Sequence, residues 1–183
     1  MQKEYETERL ILRVLDKSYA QLVVDYYLRN ESFLKEWEPL GNKEFYIKEY
    51  QEKQLDSELS DIENKRAFRL WIFKKEYSNR IIGTVCFNNI VWGAFLSCNL
   101  GYKLDKDEIN KGYMTEAVEK GIEIMFNEFG LHRIEANIMP KNRPSLRVVE
   151  KLGFYNEGIA YKYLKINGKW EDHIHMVLLN ENI

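Results

Sequence analysis

The chain has 183 residues, a formal net charge of −2, 45% hydrophobic and 14% aromatic residues. That length supports one domain with a sizeable core, and with no linker in sight 1–183 reads as a single domain. The near-balanced charge argues against non-specific DNA binding, no apolar run reaches the length of a membrane span, and the polar stretch Met1 to Glu8 lacks a signal-peptide core. A cytoplasmic protein is expected.

Arg9 to Val14 alternates as a first strand, and Asp16 is a good N-cap for a helix with Tyr19, Leu22, Val23 and Tyr26 on one face. Phe33, Leu34 and Trp37 continue a helical aromatic segment that Pro39 stops. A second amphipathic helix fits Glu44 to about Leu59, followed by a charged stretch from Asp56 to Arg66. Aromatic and β-branched residues then mark strands at Ala67–Phe73, Ile81–Phe87 and Phe95–Leu104, with Ser78-Asn79 as the first turn signal. Cys86 and Cys98 sit within these runs and read as buried reduced thiols rather than a disulfide or a nucleophile.

Met114, Ala117, Val118, Gly121, Ile122, Met125 and Phe129 recur at helical spacing up to Gly130, a natural stop. Arg133–Ile138 reads as a strand, Pro144–Leu152 as a helix and Gly158–Ile166 as a strand. Asn167-Gly168 is a two-residue hairpin signal into a last strand, Trp170–Leu179. The order predicts an α/β (α+β) domain with a mixed, mostly antiparallel sheet and one β-loop-helix-strand crossover.

Two stretches carry chemistry. Asn110-Lys111-Gly112-Tyr113-Met114-Thr115 leads from a strand into a helix. The free amides of a helix N-terminus stabilise phosphate, Gly112 lets the backbone approach closely, and Lys111 adds charge. A plain turn is the competing reading. Asn142-x-x-Ser145 enters a short helix ending at Gly153, where both residues also suit capping. A P-loop is excluded by the missing Gly-Lys-Ser/Thr, and a Rossmann fingerprint by the missing second and third glycines.

The chain resembles the GNAT N-acetyltransferases, in particular the ribosomal-protein N-terminal acetyltransferase group. Thr7 to Arg13, Trp37-Glu38-Pro39, Gly101 to Leu104, Gly112 to Ala117, Asn142 to Phe154, Glu157-Gly158 and Asn167 to His173 carry the likeness in order. It implies the GNAT fold, with a cofactor cleft at splayed central strands, and acetyl-CoA as co-substrate without a metal. The implied reaction is direct transfer of the acetyl group to a primary amine, most readily a protein or peptide N-terminus. Aminoglycoside or polyamine acetylation and a non-catalytic acyl-CoA-binding module are the alternatives; a homodimer is compatible with the C-terminal hairpin.

The resemblance also assigns residues. Amides near Tyr102 and Leu104 would hold the pantetheine and polarise the thioester, the loop from Asn110 to Thr115 would hold the pyrophosphate, and Asn142 would bond the pantetheine arm. Ser145 would donate to the departing sulfur, because Val149 stands where many relatives carry an acidic tyrosine. The family's outer loop positions are here Ile109 and Met114. Asn99 occupies the place of a frequent glutamate base, leaving Glu135 as the base candidate, with an ion pair to Arg133 or Lys151 as its rival role; water is the alternative base, since an α-amino group titrating near ~8 is partly neutral at cellular pH. Phe33 and Trp37, with Asn99, are candidates for the acceptor pocket, against a core role for the aromatics. His173 and His175 share a strand face but lack a third metal ligand, and His173 reads as a surface residue.

Overall fold

The computed structural model describes residues 2–39 and 43–183, so Met1 lies outside it. Eight strands form one sheet: β1 (Glu4–Glu6), β2 (Leu10–Arg13), β3 (Phe68–Lys74), β4 (Tyr77–Val91), β5 (Ser97–Leu104), β6 (Arg133–Ile138), β7 (Tyr155–Ile166) and β8 (Lys169–Leu179). Their order is β1-β2-β3-β4-β5-β6-β8-β7. Every pair is antiparallel except β5–β6. Only a parallel pair needs a long crossover, and helix α3 (Tyr113–Asn127) supplies it.

Each face of the sheet has its own helical layer. Helices α3 and α4 (Arg143–Lys151) bury Met114, Ala117, Val118, Leu146 and Val149 against Val85, Phe87 and Leu100. On the other face, α1 (Ala20–Leu34) and α2 (Lys48–Glu63) enclose Val23, Tyr26, Tyr27, Leu55 and Trp71. Residues alternate across a strand, so Cys98 and Leu100 of β5 enter the α3 core while Asn99, Gly101 and Lys103 face α1 and α2. Asp16 caps a single 3-10 turn, Lys17–Tyr19, through Ser18 before α1 begins.

One strand is unforeseen and two expectations are corrected. The polar N-terminus contributes β1, because Tyr5 is buried while its charged neighbours stay at the edge. The β3–β4 turn falls at Lys75-Glu76, and Ser78-Asn79 extend β4 beyond the core. The charged stretch after Asp56 is helical as far as Glu63, with Leu55 and Ile62 turned inward. Asn167 and Gly168 both adopt positive φ, 44° and 81°, as the hairpin signal requires.

A buried anchor ties α1 to the end of β5. Asp105 has a fully buried side chain that accepts from Arg29 at 2.8 Å and Arg80 at 3.1 Å, and Asn30 Oδ1 accepts from the Lys106 amide at 3.0 Å. Burial raises the Asp105 carboxyl, but the Asp107 amide and both arginines outweigh it and hold the pKa below the ordinary value. Its contribution is therefore complete above the unfolded pKa of about 3.9 and vanishes as pH falls through the lower folded value. Asp105→Asn is expected to cost about 2–3 kcal/mol in urea unfolding at pH 7, below the usual range for a broken buried pair because both arginines reach water. The difference from wild type should shrink below pH ~3; a constant difference across pH would show that the charge is not what matters.

Candidate active site

The two central strands separate partway along their length. β5 pairs with β6 only through Ser97–Asn99 and Arg133–Glu135. Beyond Asn99 a gap opens in the middle of the sheet. The Asp105 amide donates to Ile82 O on β4, and antiparallel bonding alternates. The Leu100 carbonyl and the peptide groups of Tyr102 and Leu104 therefore face away from β4, towards a neighbour that has departed. A row of free backbone donors and acceptors lines the gap.

The loop after β5 delivers the chain to the start of α3. Asn110 and Gly112 have positive φ, 61° and 81°, on either side of Lys111. Such alternation turns successive amides towards one point, a concavity suited to anions. The first intrahelical bond runs from Glu116 N to Gly112 O, and Gly112 offers no side-chain cap, so the amides of Tyr113, Met114 and Thr115 head the helix. A cleft of about 810 Å³ lies beside it, bordered by Gly112, Thr115, Lys120 and Lys151 and by five glutamates, Glu6, Glu8, Glu116, Glu119 and Glu123.

The charge around the loop is arranged differently from the expectation. Lys111 Nζ donates to Asp107 O at 2.6 Å and Glu108 at 2.9 Å, which ties it down within the loop. Arg9 is the cation at the Gly112 corner. It bonds Glu116 at 2.7 Å, donates to Lys111 O at 2.9 Å and lies over the Tyr113 ring at 4.6 Å. Nothing in the sequence around Arg9 signals this, since its partners are more than a hundred residues away.

Opposite the gap stands α4. Asn142 Oδ1 accepts from the Ser145 amide at 3.3 Å, the capping role, and keeps its amide group for other partners. Ser145 Oγ donates to the Tyr102 hydroxyl at 2.8 Å, and that hydroxyl donates to Ser145 O at 2.7 Å. The Tyr102 side chain thus bridges the gap from β5 to α4. Burial raises its pKa far above the ordinary phenol value, so it stays protonated. Val149 is fully buried in the α3 core. The phenol near the cleft comes from β5 instead, a link that the Asn-x-x-Ser motif does not announce.

On the α1–α2 face the gap borders a floor of paired charges. Lys103 pairs with Glu38 and lies over the Tyr27 ring; Arg69 pairs with Glu58 at 3.0 Å. Between Asn99 and Lys103, Gly101 is exposed although it lies in a central strand, and a Cβ built there meets nothing within 4 Å. Glu135, in register with Asn99, accepts from Arg133 at 2.7 Å and holds His175 Nδ1 at 2.8 Å. Its rival role, the ion pair with Arg133, is thus formed, while Lys151 takes no part. Burial raises the Glu135 carboxyl, but Arg133, His175 and Asn137 outweigh it and leave the pKa below the ordinary value.

Phe33 packs against the α1 core, whereas Trp37 is half-buried after the end of α1. The structure thus groups Tyr102, Asn142 and Ser145 at one side of the gap, Asn99 and Glu135 at its closed end, and Asn110 to Thr115 at the helix start. His173 is buried rather than on the surface, with Nδ1 3.0 Å from Glu171 O.

A gap between parallel central strands, continued by an anion-ready helix start, is a cleft for a long phosphate-bearing ligand. Residues 9–155 match the acetyltransferase (GNAT) domain. The chain belongs to the GNAT family. It is 38% identical to a probable N-acetyltransferase, YjcK, of Bacillus subtilis over 93% of this chain and 94% of that one. It is 36% identical to the ribosomal protein uS5-alanine N-acetyltransferase of Escherichia coli, over 92% and 86% of the two chains. The ribosomal-protein-S5-alanine acetyltransferase of Vibrio fischeri superposes with a TM-score of 0.93 at 36% identity, covering 98% and 97%. Mycobacterium smegmatis RimJ, solved with a CoA disulfide, superposes at 0.87 with 25% identity over 95% and 83%.

This GNAT protein is accordingly an acetyl-CoA-dependent N-acetyltransferase, and its sheet order and helix layers are those of the GNAT fold. Its backbone fits the co-substrate: free peptide groups along β5 suit a pantetheine amide chain, and the start of α3 suits a pyrophosphate.

Proposed function

We propose that the chain, acting as one cytoplasmic domain, acetylates the N-terminal amine of a protein or peptide. The observation that carries this choice is the charge balance of the acceptor face. Glu38, Glu58 and Glu135 each hold a cation, Lys103, Arg69 and Arg133 respectively. A polyamine or aminoglycoside needs carboxylates left over for several ammonium groups; a peptide brings one. The relatives named for acting on ribosomal protein uS5 support the same acceptor.

Acetyl-CoA supplies an activated acyl group whose thiolate is a tolerable leaving group, since a thiol titrates near ~8.5. Peptide groups of Tyr102 and Leu104 hold the pantetheine, and one amide donates to the thioester oxygen. The amides from Asn110 to Thr115 hold the pyrophosphate, with Arg9 as the adjacent cation. Asn142 bonds the pantetheine arm through the amide group that its capping oxygen leaves over. The Ser145 hydroxyl, free to rotate, turns from Tyr102 to the departing sulfur. Tyr102 remains held on the Ser145 carbonyl and keeps α4 in place across the gap. Asn99 and Trp37 border the acceptor, while Phe33 supports the wall from the core.

The deciding experiment is CoA release with peptides bearing free N-termini, lysine peptides with blocked N-termini, polyamines and aminoglycosides. Preference for free N-termini is expected; preference for polycations would overturn the acceptor assignment. Ser145→Ala should lower turnover by roughly tenfold, the worth of one hydrogen bond to a charged group, with acetyl-CoA affinity nearly unchanged. A loss of affinity at constant turnover would refute the role at sulfur.

A further inference from the structure

Nothing in the proposed transfer yet removes the proton from the acceptor ammonium, and His175 stands where that must happen. It pairs with Asn137 across β6–β8, past the last β5–β6 pair at Asn99–Glu135, so Asn137 borders the gap on the α1–α2 face and His175 stands one strand behind it. Its Nδ1 lies 2.8 Å from Glu135 Oε1. A carboxylate only accepts, so Nδ1 carries the proton and the neutral ring keeps a lone pair on Nε2. That Nε2 is buried without a hydrogen-bond partner, and so is Asn137 Oδ1 on the paired residue. Two neighbouring buried acceptors without a donor are unfavourable in isolation. An incoming ammonium supplies the missing donor.

Resting on the reading that the gap takes acetyl-CoA and the α1–α2 face takes the amine, we propose that His175 is the general base, with Glu135 as its positioning residue. His175 Nε2 takes one proton from R–NH3+, and Asn137 Oδ1 accepts a hydrogen bond from the same nitrogen. The freed lone pair attacks the acetyl carbon. The C–N bond forms, the C–S bond breaks with its electrons on sulfur, and the second proton of the nitrogen reaches sulfur through Ser145. His175 then returns its proton to solvent.

The alternatives nearby are already engaged. Both Glu135 oxygens are bonded, one to Arg133 and one to His175. Burial lowers the pKa of His173, and its Nδ1 is bonded to Glu171 O. The charged and titratable groups around the His175 ring are Glu135 and Arg133 on β6, Glu157 and Tyr163 on β7, and His173 on β8. Glu157 is itself held by Arg133 at 2.6 Å, and the Tyr163 ring centroid lies 4.9 Å from that of His175.

The test compares wild type with His175→Gln across pH. Loss of a general base is expected to lower kcat/KM about 100-fold at pH 7. The deficit should shrink above the α-amino pKa of about 8, where the amine loses its proton unaided; acetyl-CoA affinity by calorimetry should not change. Glu135→Gln can present its amide group to Nδ1 and so release the tautomer, which should lower kcat/KM and bring the Nε2–H form into the nitrogen NMR spectrum. Nitrogen NMR of the free wild-type enzyme should show the Nδ1–H tautomer. A pH-independent loss, no loss, or the Nε2–H tautomer in wild type would overturn the proposal. If wild type rejects free N-termini but acetylates another amine in the panel, the acceptor assignment fails, and the same comparison with that amine still judges His175. The tautomer measurement needs no turnover and decides the point even when no amine is acetylated.

Discussion

Gly112→Val is expected to weaken acetyl-CoA binding at least roughly 100-fold while the protein still folds. Gly112 has φ 81° and ψ −3°, and it is the residue from which α3 starts. A β-branched side chain at this φ is a steric outlier, with a local cost on the order of 1–3 kcal/mol. The backbone can relieve that strain by rotating, but rotation turns the amides of residues 113–115 away from the point on which they converge. A rigid retreat of the loop is also opposed. Arg9 clamps it by bonding Lys111 O and Glu116 together, and a Cβ on Gly112 would lie 3.3 Å from the Arg9 guanidinium. Losing two amide donors to a doubly charged group removes about 3 kcal/mol, and 1.4 kcal/mol is one factor of ten. Calorimetric titration with acetyl-CoA measures the effect, with circular dichroism to confirm folding. Gly112→Ala, which also needs positive φ but lacks the branched Cβ, should fall between the two. Unaltered affinity in a folded Gly112→Val protein would mean that the pyrophosphate is held elsewhere.

The residues that were legible in the sequence are those whose function is local. Apolar spacing marked α3 but ran to Phe129, one residue past its C-cap Glu128; Asn167-Gly168 marked the last hairpin, and both the Gly112 loop and the Asn142–Ser145 turn are contiguous segments whose geometry follows from a few neighbours. β1 was missed because one buried tyrosine among charged residues leaves no alternation to count. The pairings across the site are a different matter. Tyr102 meets Ser145 only because β5 leaves β6, and Glu135 meets His175 only because β8 inserts between β6 and β7. Strand order is set by tertiary packing, not by any short window. Lys111 illustrates the opposite error: its position in the loop suggested a phosphate ligand, but three residues back Glu108 offers a nearly buried carboxylate that holds it.

Gly101→Leu should abolish most acetyl transfer and leave acetyl-CoA binding intact. Glycine inside a central strand weakens it and gives nothing to packing, so its presence here needs a local reason. The neighbouring core positions on β5, Leu100 and Cys98, are nearly buried, yet Gly101 between them and Lys103 is open on the α1–α2 face. Across β4 its partner is Cys86, small and buried, and nothing stands within 4 Å of the space that a Cβ would take. This hollow adjoins the gap and leads from the acceptor face to the peptide groups of Tyr102 and Leu104. A Cβ meets nothing there, so a longer side chain should extend over the open face and the sheet should retain its stability. The side chain would then occupy the path of the amine and hold it away from the acetyl carbon. A displacement of about 1 Å in a reacting group already costs on the order of 100-fold, and a four-carbon side chain displaces more. Steady-state kinetics should show the loss in kcat/KM for the amine, with the acetyl-CoA Kd within about twofold of wild type. Should Gly101→Leu acetylate peptides at the wild-type rate, the amine must approach from another side, and the charge-paired floor of Glu38, Lys103, Glu58 and Arg69 would be only a core that happens to be polar.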